Sequence, residues 1–371
     1  MSRGQVSSAK RIVIKVGSSS LTGRAGSELD SAAVDRLVDL VASCRARGAE
    51  VVLVSSGAIA TGLAPLGLKA RPRDLATQQA AAAVGQGLLM HRYTESFARH
   101  HTTAAQILLT TQDVIHRSHY KNAQRTLYRL LALGVVPIIN ENDTVGTQEI
   151  RFGDNDRLAA LVSLVIGADL LVLISDIDAL YDAPPSQAGA HRISEVKAVN
   201  EIDESTIGGV GASGVGSGGM VTKVEAARIS TSAGIPMLLT SLAQSTDALS
   251  GEDVGTYFQA HPSKTNSRLL WLAHASTPNG RLIVDSGAVT ALIERGVSLL
   301  PAGVTAVEGE FSAGDAVEIA AQDGRVIARG LVAFDSAEIP QMLGRSTKEL
   351  AKELGAEYER ELIHRDDLVL L

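Results

Sequence analysis

Two lysines set in turns rich in glycine and serine are the residues of this chain whose types first suggest chemistry. One stands in Lys15-Val16-Gly17-Ser18-Ser19-Ser20, and the other ends Gly216-Ser217-Gly218-Gly219-Met220-Val221-Thr222-Lys223, where a helical pattern begins. Glycine lets backbone N–H groups approach an anion closely, and a helix N-terminus favours negative charge. Both turns therefore suit phosphate oxygens, with the lysine offsetting charge as a phosphoryl group moves. Each turn also has an ordinary reading. The run 208–219 is mostly Gly, Ser, Val and Ala, as a flexible linker would be. A strand-end lysine can reach water along its own stem. The spacing Gly-x-x-x-x-Gly-Lys-Ser/Thr is absent, so neither turn is a P-loop.

Two dense polar runs follow apolar stretches: Asn140-Glu141-Asn142-Asp143 and Gly153-Asp154-Asn155-Asp156. Carboxylates and carboxamides together suit a ligand that carries both ammonium and carboxylate, such as an amino acid. Asp156 also has the position of a cap for a helix starting at Arg157, but two runs this dense exceed what capping needs. Ser56, in Ser55-Ser56-Gly57, offers a hydroxyl to a small substrate or caps a helix. Ser175-Asp176 contacts a nucleotide or closes an Asx turn. No His-Glu-x-x-His, no cysteine pair and no Gly-x-Ser-x-Gly occurs, which speaks against zinc and serine-esterase chemistry. No residue is expected to ligate a metal.

These residues need rigid elements to hold them. Apolar, β-branched runs at 11–16, 51–55, 104–109, 135–140, 170–175 and 237–239 predict strands. Helical patterns at 30–47, 75–100, 119–133, 157–166 and 222–233 alternate with them. Such alternation predicts an α/β fold with an open, mostly parallel sheet covered by helices on both sides. In such sheets ligands bind at the carboxyl ends of the strands, where the polar clusters fall. Composition shifts near Ser276-Thr277-Pro278-Asn279-Gly280. Short alternating runs at 281–285, 304–310, 316–320 and 326–333 then predict a small β-rich domain with helices at 288–295 and 347–354.

The chain has 371 residues, too many for one typical core. With 45 % apolar and 20 % charged residues it is globular rather than disordered. The single cysteine, Cys44, excludes an internal disulfide framework and fits a reducing compartment. No targeting segment or membrane span is evident, so a cytoplasmic protein without membrane contact is expected. From residue 279 onward, nine Lys/Arg face sixteen Asp/Glu, a balance of -7 that equals the charge of the whole chain. That is opposite to a nucleic-acid footprint.

In this order, the residues resemble the amino acid kinase family. The resemblance rests on Lys15-Val-Gly-Ser-Ser, Val54-Ser-Ser-Gly-Ala-Ile-Ala, Ala83-Val-Gly-Gln-Gly, Pro137-Ile-Ile-Asn-Glu-Asn-Asp, Gly153-Asp-Asn-Asp and Gly218-Gly-Met-Val-Thr-Lys. The C-terminal part resembles a PUA domain through Val284-Asp-Ser-Gly-Ala, Gly296-Val-Ser-Leu-Leu-Pro, Val307-Glu-Gly-Glu-Phe and Ile327-Ala-Arg-Gly-Leu. The resemblance implies a three-layer αβα sandwich over residues 1–275, a PUA domain over 279–357 and a C-terminal tail, 358–371. It implies ATP-dependent phosphorylation of the side-chain carboxylate of L-glutamate, the first step towards proline, with Mg²⁺ bridging the ATP phosphates. Lys15 and Lys223 would stabilise the transferring phosphoryl group, and Asp156 would orient them. Ser56, Asp143 and Asn155, with Asp154 nearby, would bind glutamate. Lys15, Gly17, Ser175, Asp176 and the loop Ser217, Gly218, Gly219, Met220, Val221, Thr222, Lys223 would bind ATP. Serine fills positions 55 and 175, where the family often has threonine; both keep the hydroxyl. The resemblance also implies a homo-oligomer, feedback inhibition by proline, and glutamyl phosphate reductase as a partner. The rivals are a kinase for acetylglutamate, aspartate, carbamate or UMP, and an RNA-binding or RNA-modifying protein acting through the PUA domain.

Overall fold

Six short apolar runs set the architecture, and those at 11–16, 50–55, 136–141 and 170–175 are buried along nearly their whole length. A computed structural model describes residues 2–23, 28–110, 113, 117–145, 155–184, 187, 189–199, 202, 219–261 and 278–371. The chain divides into two compact units, Met1–Lys264 and Thr265–Leu371. The boundary expected at 275–279 runs into residues 262–277, which lie outside the described residues.

In the first unit the order is β1 Arg11–Val16, α1 Ser31–Ala46, β2 Glu50–Ser55, α2 Ala58–Leu63, α3 Leu75–Ala98, β3 Ala104–Leu109, α4 Arg117–Ala132 and β4 Val136–Glu141. Then come α5 Asn155–Ile166, β5 Leu170–Ser175, β6 Leu180–Tyr181, β7 Arg192–Ile193, β8 Glu195–Val196, α6 Met220–Ser232, β9 Met237–Ser241, α7 Ser245–Ser250 and β10 Thr256–Phe258. Eight strands form one sheet in the order β3-β4-β2-β1-β5-β9-β10-β8, and β6 and β7 pair separately. The six strands from β3 to β9 run parallel, whereas β10 is antiparallel to β9. Chain order therefore reverses on either side of β1, and the carboxyl end of β1 is the switch point where ligands bind in such sheets.

The pleat of β1 decides what its side chains meet. Ile12, Ile14 and Val16 pack with Val34, Leu37, Val38 and Val41 of α1 and with Leu89, Tyr93 and Phe97 of α3. Val13 and Lys15 alternate to the other face, where α5 packs against β1, β2, β4 and β5. Asp30 caps α1, accepting from the backbone N–H of Ala32 and Ala33 at 2.9 and 3.1 Å. The helix expected at 30–47 thus begins one residue after its cap.

In the second unit β11 Gly280–Val284, α8 Ser286–Arg295, β12 Val304–Gly309, β13 Ala316–Ala321, β14 Val326–Leu331, α9 Thr347–Leu354 and β15 Leu368–Leu370 build a five-stranded sheet, β12-β11-β13-β14-β15. Its core includes Leu282, Val317, Ile319, Ile327, Met342 and Leu350. Residues 358–371, expected as a separate tail, belong to this unit. β15 pairs antiparallel with β14, and Leu362, Ile363 and Leu368 are buried in the same core. Three residues of strand are too few for alternation to announce them.

Candidate active site

A lysine in a buried strand needs a partner, because an unpaired charge out of water is costly. Lys15 is the fifth residue of β1 and 4 % exposed; the partner is Asp156, fully buried in the first turn of α5. Lys15 Nζ lies 2.5 Å from Asp156 Oδ1. Lys223, 5 % exposed in the first turn of α6, reaches Asp156 Oδ2 at 3.1 Å. Thr222 Oγ1 lies 3.2 Å from that same oxygen and donates to the Gly219 carbonyl at 2.8 Å. Helix dipoles favour a carboxylate at the start of α5 and disfavour a lysine at the start of α6. Asp156 offsets the second effect. Two ammonium groups thus share one carboxylate, and the trio carries a formal charge of +1 in a dry setting, where charge acts strongly.

Beside this trio a chain of carboxamides crosses the strand ends. Val54 pairs with Ile139, which brings Ser55 and Asn140 level. Asn155, the residue before Asp156, donates from Nδ2 to Ser56 Oγ at 2.8 Å and to Asn140 Oδ1 at 3.0 Å, and it lies 3.2 Å from the Ser55 carbonyl. Asn140 Nδ2 donates to Gln86 Oε1 at 2.8 Å. Ser56 is held through its own N–H, which donates to the Val16 carbonyl at 3.1 Å. Behind it, the Ser55 hydroxyl meets the Tyr93 hydroxyl at 2.9 Å. Burial pushes the Tyr93 hydroxyl far above the usual phenol range, against the bond to Ser55.

Two glycines bring Gln86 to this place. A Cβ on Gly85 would lie 1.8 Å from the Ala58 carbonyl oxygen, and one on Gly62 would lie 1.9 Å from the Ala81 carbonyl oxygen. α2 and α3 therefore touch backbone to backbone. Gly57 makes the turn before α2 with φ of +104°, a left-handed value that suits glycine.

Gly17 N–H donates to the Ile174 carbonyl at 3.1 Å, which ties the turn after β1 to the end of β5. A Cβ there would sit 3.8 Å from Lys15 Nζ, an ordinary contact, so space alone does not require the glycine. Ser175 Oγ donates to Asp176 Oδ1 at 2.9 Å one strand over. Asp143 stands half-buried in the turn two residues past β4. Met220 opens α6, and Val221 is exposed. Asp154, Ser217 and Gly218 lie outside the described residues. The structure thus brings Lys15, Asp156 and Lys223 together, and beside them Asn155, Ser56 and Asn140. Gln86 and Tyr93 were missed as site residues; the segment Ala83-Val-Gly-Gln-Gly was the available signal for the first. A cleft of about 560 Å³ at the other end of the sheet, bordered by Arg45, Glu50, His100 and Gly134, includes none of these residues.

A parallel sheet with a switch point, two buried lysines on one carboxylate and a neighbouring carboxamide chain suit the transfer of a phosphoryl group. The sequence model of the amino acid kinase family matches residues 10–241, and that of the PUA domain matches 280–354. The chain is 61 % identical over 370 residues to a glutamate 5-kinase of Streptomyces avermitilis, covering all of this chain and 98 % of the relative. It is 58 % identical over 369 residues to a glutamate 5-kinase of Salinispora arenicola, covering both chains fully. Among solved structures, a carbamate kinase from Giardia lamblia bound to AMP-PNP matches 69 % of this chain and all of its own, with a TM-score of 0.51 at 19 % identity; this likeness concerns the fold. The chain belongs to the amino acid kinase family and, within it, to the glutamate 5-kinases.

Proposed function

We propose that the chain transfers the γ-phosphoryl group of ATP to the side-chain carboxylate of L-glutamate, giving L-glutamyl 5-phosphate and ADP on the route to proline. The observation that carries this reading is the buried Lys15–Asp156–Lys223 trio at the switch point. A carboxylate oxygen of glutamate attacks the γ-phosphorus, and the bond to the oxygen shared with the β-phosphate breaks. A glutamate side chain is already ionised near pH 7, so no general base is needed. Positioning and charge stabilisation then make up the catalysis. Lys15 and Lys223 meet the charge that spreads over the phosphoryl oxygens, and Asp156 keeps both aimed.

Ser56, Asn155 and Asp143, with Asp154, hold glutamate. Ser56 Oγ accepts from Asn155 and so keeps its own proton to donate to a carboxylate. The backbone around Gly17, Ser175, Asp176 and the stretch from Ser217 to Lys223 hold ATP. Among the described residues no cluster of three His, Cys, Asp or Glu side chains suits a cation. Mg²⁺ would be supplied with ATP and would neutralise charge on its phosphates.

Among the described residues no helix is long and apolar enough to cross a membrane. Work in the cytoplasm, a homo-oligomer, inhibition by proline and hand-over of the acyl phosphate to glutamyl phosphate reductase complete the proposal. ADP release measured with L-glutamate, L-aspartate, N-acetyl-L-glutamate, carbamate and UMP tests the substrate. The expected result is turnover with L-glutamate well above the others; preference for another acceptor overturns the assignment.

A further inference from the structure

We infer that Gln86 is a positioning residue for glutamate recognition: its carboxamide oxygen fixes which way the amides of Asn140 and Asn155 point. The inference rests on the proposed function and concerns the polarity of one hydrogen-bonded chain.

Two backbone groups read that polarity without ambiguity. The Glu141 N–H can only donate, and it lies 2.9 Å from one end of the Asn140 amide, so that end is the oxygen. The Ser55 carbonyl can only accept, and it lies 3.2 Å from one end of the Asn155 amide, so that end is the nitrogen. The other end of Asn140 must then be its NH₂. The atom of Gln86 at 2.8 Å must accept from it. The chain runs from Asn140 to Gln86 in one direction and from Asn155 to Asn140 and Ser56 in the other.

This order has consequences at the substrate end. Asn155 spends its NH₂ on Asn140 and Ser56, which leaves its Oδ1 buried without a hydrogen-bond partner among the described residues. An acceptor in that condition fits the α-ammonium group of an amino acid. The Ser56 hydroxyl, having accepted from Asn155, presents a donor, which fits a carboxylate. One donor and one acceptor side by side match the two charged groups on the α-carbon. Reversing the chain would present the opposite pair.

Gln86 does not touch substrate in this account; it acts through Asn140, which is 3 % exposed. Its place is set by the backbone contact of Gly85 with Ala58, one residue away. The α2–α3 contact therefore holds Gln86 close to the turn that carries Ser56, two residues before α2.

The test uses the full chain with Gln86→Met, which keeps length and loses the acceptor, and Gln86→Glu, which keeps an acceptor in place. Glutamate KM, ATP KM, kcat and thermal melting are measured for each, with wild-type turnover of L-glutamate run in parallel as a separate check on the proposed function. The expected result is a glutamate KM roughly fivefold or more higher in Gln86→Met, since a buried donor is left unpaired. ATP KM and kcat stay within about twofold on the same argument, and Gln86→Glu restores the glutamate KM to near the wild-type value. Gln86→Ala gives the same reading should the methionine variant fail to fold. An unchanged glutamate KM in folded Gln86→Met or Gln86→Ala overturns the inference. So does an equal loss in Gln86→Glu and Gln86→Met, because a merely structural role would not distinguish them by their acceptor.

Discussion

Replacing Asp156 by asparagine keeps the shape of the side chain and removes the charge that two buried lysines share. The carboxylate oxygens lie 2.5 Å from Lys15 and 3.1 Å from Lys223. A carboxamide has one acceptor atom, so its NH₂ must face one of the ammonium groups, donor against donor. Removing one partner of a buried ion pair costs about 3–5 kcal/mol. In a unit of this size each kcal/mol lowers Tm by about 2–4 °C, so Asp156→Asn should melt roughly 10 °C lower. The kinetic effect is separate. Without a shared anchor the two lysines repel and lose their aim, and one misplaced donor at such a site costs about 10²–10³ in rate. ATP binding responds differently, because the formal charge of the trio rises from +1 to +2. The ATP KM should hold or fall while kcat drops about a hundredfold or more. The assay is steady-state ADP release well below the melting point, with ATP and glutamate varied separately, beside a thermal melt. A kcat within about threefold of wild type would refute the reasoning. A loss carried by the ATP KM with kcat intact would refute it equally.

Asn155→Ala should raise the glutamate KM about tenfold, since a hydrogen bond to a charged group contributes about 1.5–3 kcal/mol, and leave the ATP KM unchanged; separate substrate titrations check it. Gly85→Ala should destabilise the first unit by about 1–3 kcal/mol or more and raise the glutamate KM, because its Cβ would meet backbone at 1.8 Å. Gly87→Ala, with nothing within 4 Å, is the control that should leave the glutamate KM unchanged and raise the melting point slightly, because alanine is the better helix former. Asp35 accepts from Ser96 at 2.6 Å and Arg92 at 2.5 Å, and these bonds, with that from Ser96 foremost, hold its carboxyl below the usual range. Its contribution to stability is therefore present above the unfolded value of about 3.9 and lost as pH falls through the native value. The Tm gap between wild type and Asp35→Asn should be open at neutral pH and narrow below about pH 4; a constant gap would remove the linkage.

The parallel core was legible wherever an apolar run is sharply bounded. The expected strands at 11–16, 104–109 and 170–175 match β1, β3 and β5 to the residue, because polar or glycine residues bracket each apolar run. β8, β10 and β15 have two or three residues each, too short for any period to show. α2 was expected only as a helix that Ser56 could cap, without bounds, because it is six residues long and holds Gly62, a poor helix former that is there for its contact with Ala81. In the site, Lys15, Asp156 and Lys223 were readable one by one from their neighbours. Their meeting depends on the parity of β1, which turns Lys15 towards α5, and sequence spacing carries no trace of that. Gln86 stood in the quoted segment Ala83-Val-Gly-Gln-Gly, but a glutamine on a long helix is ordinary, and its bond to Asn140 shows what it faces.

Acyl-phosphate formation, trapped as a hydroxamate by hydroxylamine, tests the central claim most directly. The full chain is incubated with ATP, Mg²⁺ and L-glutamate, and with L-aspartate or N-acetyl-L-glutamate in parallel, beside Lys223→Ala. The account predicts hydroxamate from L-glutamate well above the other two acids, and a rate about 10²–10³ lower in the lysine variant. ADP release without hydroxamate from glutamate, or near-normal hydroxamate from Lys223→Ala, would contradict it.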